Sequence, residues 1–196
     1  PGTDLKVGLA DDHEWMGGAS MSQNGIICNP NIPSEEVFTT PHALRVEGHV
    51  SSTKPLSHQG TLIDNIRVVF EKGSITEAKA SKGEAVLKKV LDSDEGARRL
   101  GEVALVPNSS PISSSGLLFY NTLFDENAAC HIALGQCYSK CFKGEKNLST
   151  SEIKDRGGNS SMIHIDWMIG SGEIDIDGIG KNGETIPIFR KGEWVD

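Results

Sequence analysis

Apolar and polar positions alternate in short runs through the first half of the chain, and this pattern predicts strands. Asp4 to Leu9 is one such run. Leu44 to Val50 interleaves apolar positions with Arg45, Glu47 and His49, which reads as a half-buried strand. Asn65 to Phe70 and Ser74 to Ala80 flank Glu71-Lys72-Gly73, a hairpin turn by composition. The period then changes. Ala85, Leu87, Val90 and Leu91 form a helical stripe, and Ser81 followed by Glu84 predicts a capping box at its start. Val103 to Val106 is a continuous apolar run stopped by Pro107, a buried strand. A second helix is predicted from Asp125 to about Phe142, favoured by Ala128, Ala129, Ile132, Ala133 and Leu134 and closed by Gly144. Lys143 to Asn159 is polar and contains glycine, so it reads as a surface loop. Strands return at Met162 to Ile169, Glu173 to Ile179 and Thr185 to Phe189, with Asn182-Gly183 as the turn between the last two. The expected class is α+β: strand-rich, with mixed or antiparallel sheets and two substantial helices.

Composition narrows the function classes. A chain of 196 residues is long enough to build a core without disulfide staples. The net charge of −8 argues against a nucleic-acid binder, whose footprint is basic. There is no apolar run of about 18 residues, so no transmembrane helix is expected. No basic-then-apolar leader is visible, so no secretory signal is expected. Cys130, Cys137 and Cys141 crowd one segment, with Cys28 apart, a pattern of reduced thiols rather than a disulfide frame. The chain opens Pro1-Gly2-Thr3-Asp4 without Met, so we expect a processed protein or a piece of a longer one.

Several side chains suggest metal chemistry. In Met162-Ile163-His164-Ile165-Asp166-Trp167-Met168, His164 and Asp166 share one face of a strand, about 6.6–6.8 Å apart along it. An imidazole and a carboxylate so placed are two arms for a divalent cation; a His–Asp pair on a sheet surface is the plainer alternative. On the expected helix, Tyr138 follows His131 by seven residues, about 20° off the same stripe. That pair offers a ligand and an oxyanion donor, or a core histidine and a packed tyrosine. Glu35-Glu36 follows Pro33 in or just after a turn, which suits one carboxylate binding metal while the other moves protons. A solvated acidic turn is the alternative there. Glu102 stands at the mouth of the apolar run Val103 to Val106, where an unpaired charge is expensive and a pairing or ligating role is expected. Cys137 and Cys141 have no CxxC companion and make a poor zinc site. Asp175-Ile176-Asp177-Gly178 lacks the spacing and closing Glu of a calcium loop.

Five segments, in order along almost the whole chain, carry a resemblance: Asn31 to Pro41, Asp94 to Pro107, Phe119 to Gly135, His164 to Ser171, and Pro187 to Trp194. Together they resemble the thermophilic-type metallo-aminopeptidase family, that of aminopeptidases T, S and II. The resemblance implies a cytoplasmic, homodimeric exopeptidase that removes N-terminal residues from peptides by using two divalent metals, whether zinc, cobalt or manganese. It further implies that residues 1–196 are a single C-terminal metal-binding domain, separated from an N-terminal domain that helps to enclose the site. By the same resemblance Glu36, Glu102, His131, His164 and Asp166 are metal ligands, Tyr138 is the active-site tyrosine, and Glu35 is the general base. The reverse assignment of Glu35 and Glu36 stays open. The rival expectations are a non-catalytic metal-binding or dimerisation fragment, and a dinuclear hydrolase of other peptide specificity.

Overall fold

Two antiparallel sheets pack face to face and hold the core between them. The computed structural model describes residues 2–29, 34–144 and 148–195. The first sheet runs in the order Asp4–Leu9, Pro41–Ser51, Arg67–Glu71, Ser74–Lys79. The second, central sheet runs His164–Met168, His131–Gly135, Leu100–Leu105, Val37–Thr39, Met16–Gly17. A small third sheet holds Ile176–Ile179, Thr185–Arg190 and Glu193–Trp194.

The core follows from alternation. Val46, Val50, Val68 and Phe70 point inward from the first sheet, and Leu100, Ile132, Leu134 and Trp167 from the central one. Leu87 and Leu91 of the helix Glu84–Leu91 complete the cluster. Burying each large apolar side chain of this kind contributes about 1.5–3 kcal/mol. The opposite face of the central sheet is therefore free to carry polar groups.

The α+β class, the antiparallel sheets and the Glu84–Leu91 helix agree with the sequence pattern. So do the hairpins: Glu71 pairs with Ser74 across Lys72-Gly73, both at positive φ, and Ile179 pairs with Thr185 around Asn182-Gly183. Three local expectations need correction. The stretch from Asp125 to Phe142 is not a helix. It holds a short helical turn at Thr122–Asp125, 3₁₀ turns at Glu126–Ala128 and Ser139–Cys141, and between them the strand His131–Gly135. All five residues of that strand are buried, since it has neighbours on both edges, so it reads as continuous apolar sequence that mimics a helix. Second, Ser81 does not cap the Glu84–Leu91 helix. The N-cap is Gly83 at φ 73°, where a Cβ would stand 2.8 Å from the Leu62 carbonyl oxygen. Third, the expected loop from Lys143 to Asn159 contains the helix Thr150–Asp155, whose capping box is formed by Ser149 and Glu152. Residues 145–147 of that loop, and 30–33 of the expected Pro33 turn, lie outside the described residues.

Candidate metal centre

Three adjacent strands of the central sheet present the site. On Leu100–Leu105 the register slips, so that Leu134 faces Leu100 while the next residue, Ala133, faces Glu102. This bulge at Gly101 keeps both Leu100 and Val103 toward the core and aims Glu102 at the opposite face. Gly101 is required there, because a Cβ would lie 2.3 Å from the Gln136 carbonyl oxygen. On the middle strand Ile132 and Leu134 go to the core, so His131 and Ala133 face the site. On the third strand Ile165 and Trp167 go to the core, leaving His164 and Asp166 on the site face. Asp166, Ala133 and Glu102 thus form one row across three strands. The small Ala133 stands between the two carboxylates in this row, fully buried. Glu36 arrives from the residue before Val37–Thr39, which pairs with Leu100–Leu105.

The side chains converge. His131 Nε2 is 3.5 Å from Glu36 and 3.7 Å from Glu102, and His164 Nε2 is 3.5 Å from Glu102 and 3.3 Å from Asp166. Two donor groups result, Glu36–Glu102–His131 and Glu102–His164–Asp166, each with ligand atoms within 4.8 Å of one another. Glu102 belongs to both, with one oxygen toward each histidine. Each imidazole is oriented from behind: Nδ1 of His131 donates to the Ala129 carbonyl at 3.1 Å, and Nδ1 of His164 to the Gln136 carbonyl at 2.7 Å. A carbonyl can only accept, so Nδ1 carries the proton and Nε2 is turned to the site, as metal-binding histidines require. His164 Nε2 is buried and has no hydrogen-bond partner. An inward-facing nitrogen within ion-pair distance of two carboxylates, yet without a hydrogen bond of good geometry, is a donor set that a cation would fit.

The electrostatics agree with that fit. Burial pushes the His131 imidazole toward neutrality, but Glu102, Asp166 and Glu36 outweigh it and raise its pKa. His164 is raised in the same way by Asp166 and Glu102. Burial would raise Glu102, yet the two histidines hold it well below the usual carboxylate range. Glu36 is raised, by burial first and then by the neighbouring carboxylates. Without a cation, protons on the two histidines would balance these carboxylates.

A cavity of about 470 Å³ opens over this centre. Tyr138 lines it, half exposed, with its ring 4.8 Å from the His164 ring and 5.7 Å from Phe38. It reaches the site from the turn after His131–Gly135, anchored where the Thr40 hydroxyl donates to its carbonyl, and not from a shared helical stripe. Burial and the carboxylates raise the phenol's pKa, so it stays a donor. Glu35 is exposed and does not line the cavity. Glu126 does line it, buried, with its carboxyl raised to about 8 by burial and by Asp166. The sequence reading missed Glu126. Its only signal was its place beside Asn127 in the segment that leads to His131. Cys130, Cys137 and Cys141 are buried, and burial raises each thiol, which leaves them unreactive.

Residues 1–194 match the family model described as thermophilic metalloprotease (M29). The chain is 56% identical to aminopeptidase T of Thermus aquaticus and 53% identical to aminopeptidase 2 of Geobacillus stearothermophilus, each over its whole length and 47% of the relative's. The solved structure of wild-type AmpT from Thermus thermophilus superposes on all of it with a TM-score of 0.94 at 54% identity, through 48% of that chain. The chain spans about half the length of the curated relatives it matches.

Proposed function

Since the chain belongs to the thermophilic metalloprotease (M29) family, we propose that it is the catalytic, metal-binding part of an aminopeptidase acting on peptides with a free amino terminus through two divalent ions. The observation that carries this reading is the sharing of Glu102 between two histidine–carboxylate groups. One buried carboxylate facing two separate donor sets suits a pair of ions, and a mixed N/O set suits zinc, cobalt or manganese. Bound there, the ions would supply Lewis acidity to the scissile carbonyl and an activated water at neutral pH.

The chain's own residues do the rest. Glu36 and His131 would hold one ion and His164 and Asp166 the other, with Glu102 within reach of both groups. Glu126, buried beside Asp166, adds a further carboxylate to this set. Tyr138, kept protonated, donates to the oxyanion that develops at the carbonyl. Glu35 carries the proton to the leaving amine. Glu35 faces outward in this chain, and Glu35→Gln is its direct test. A cytoplasmic homodimer, with this chain as the C-terminal domain, completes the reading. The rival, a non-catalytic metal-binding fragment, draws on the chain's covering only half of its relatives.

Elemental analysis of the full-length protein, with one peptide offered free and N-acetylated, tests the reading. Two ions per chain and cleavage of the free peptide alone are expected. Equal cleavage of both peptides would indicate another hydrolase. Metal without turnover would favour the non-catalytic rival.

A further inference from the structure

The cavity holds one feature that metal binding leaves unexplained. Lys140 is the only lysine or arginine among the described residues that line it, against four carboxylates. Among the described residues it forms no ion pair. Its ammonium sits instead over aromatic faces, 4.6 Å from the Phe38 ring centroid and 5.5 Å from that of Tyr138. Cation–π contact holds such a head group in place while leaving its hydrogen-bond donors free. The side chain is exposed, so the charge stands at the mouth of the cavity.

Its distance from the donor groups is informative. The Tyr138 ring contacts both, 5.5 Å from the Lys140 ammonium and 4.8 Å from the His164 ring. An extended peptide advances about 3.3–3.6 Å per residue. Both distances meet at the Tyr138 ring, so the ammonium stands no more than about 10 Å from the His164 ring, a span that one to three extended residues cover. A carboxylate at that place meets the ammonium of Lys140, the one lysine or arginine among the described residues that line this acidic cavity.

We propose that Lys140 is a specificity residue that binds the C-terminal carboxylate of di- and tripeptides and so favours short peptides. The proposal rests on the aminopeptidase reading above. It is tested on the full-length, metal-loaded protein by measuring kcat/KM for leucylglycine and leucylglycinamide in the wild type, Lys140→Met and Lys140→Arg. The wild type should favour the free acid by about tenfold or more, the size expected of a charge-assisted contact. In Lys140→Met that acid-to-amide ratio should fall toward one, and Lys140→Arg should keep it. An unchanged ratio in Lys140→Met overturns the proposal, since a purely structural role lowers both substrates alike. A Lys140-dependent preference for leucylaspartamide but not for leucylglycine also overturns it, by moving the contact to an acidic side chain. If the wild type cleaves none of these peptides, the aminopeptidase reading fails separately. Calorimetric binding of leucylglycine and its amide then decides: a preference for the acid that is lost in Lys140→Met sustains the proposal, and equal affinities overturn it.

Discussion

Glu35 and Glu36 are neighbours in sequence with opposite surroundings: Glu36 faces His131 at 3.5 Å and Glu35 faces solvent. Glu36→Gln should therefore weaken metal binding, read by elemental analysis after dialysis. Glu35→Gln should keep the metal and lower turnover of an amino-acid amide by at least ~10²-fold, the lower range for a proton-transfer group. The reversed pattern would exchange the two roles. The histidines give a second prediction at this scale. In the metal-free protein both titrate near 10, above an unfolded value of about 6.5. A raised folded pKa stabilises fully below the unfolded value and loses that stabilisation as pH climbs through the folded one. The chelator-treated protein should thus melt at progressively lower temperature from pH 6.5 to 10. Metal competes with the same protons, so apparent metal affinity should rise over that range. A metal-free melting temperature that rises with pH would contradict the assignment. His164, Asp166 and Glu102 were legible from sequence because period-two alternation and the cost of a buried charge are local arguments. Glu126 was not, since nothing local distinguishes it from a solvated glutamate. Only the fold buries it beside Asp166.

At the scale of elements, the site depends on the order of strands more than on any one of them. The expected helix from Asp125 to Phe142 shows why. Its alanines and leucine have high helix propensity, but the hydrogen-bonding edges offered by Leu100–Leu105 and His164–Met168 hold His131–Gly135 as a strand between them. The expected helix already placed Tyr138 near His131. In the structure Tyr138 comes from a turn after the strand instead and meets His164, because Gly135 at φ 101° ends the strand against the Ile163 carbonyl. The bulge at Gly101 is equally invisible in the pattern, yet it decides which face Glu102 takes. The row Asp166–Ala133–Glu102 makes a further prediction. Ala133 is fully buried at the floor of the site. Ala133→Leu should force a larger side chain between the carboxylates and abolish metal binding. It should also destabilise the fold by about 1–3 kcal/mol, the usual cost of overpacking, read by urea denaturation. Retained metal at full stoichiometry would mean that the ions do not sit over this row.

At the scale of the whole molecule, the centre lies beneath an open cavity with Leu123 on its wall, and Leu117, Phe119 and Phe124 of the same stretch of chain are also exposed. The relatives are about twice as long as this chain. The donor groups come from strands within the chain, so the 196 residues alone should bind metal. Turnover asks for more. Water entering an open cavity raises the local dielectric and weakens the preorganised contacts that stabilise a developing charge. A peptide held only on one side is also less well placed, and misplacement by about 1 Å costs on the order of 10²-fold. We therefore expect the 196-residue chain and the full-length protein to bind metal at equal stoichiometry, while kcat/KM on a free peptide is at least ~10²-fold lower for the shorter chain. Both are loaded with the same metal and assayed at equal active-site concentration. Equal kcat/KM would show that this half carries the whole of the catalytic machinery, and that an open cavity costs the reaction nothing.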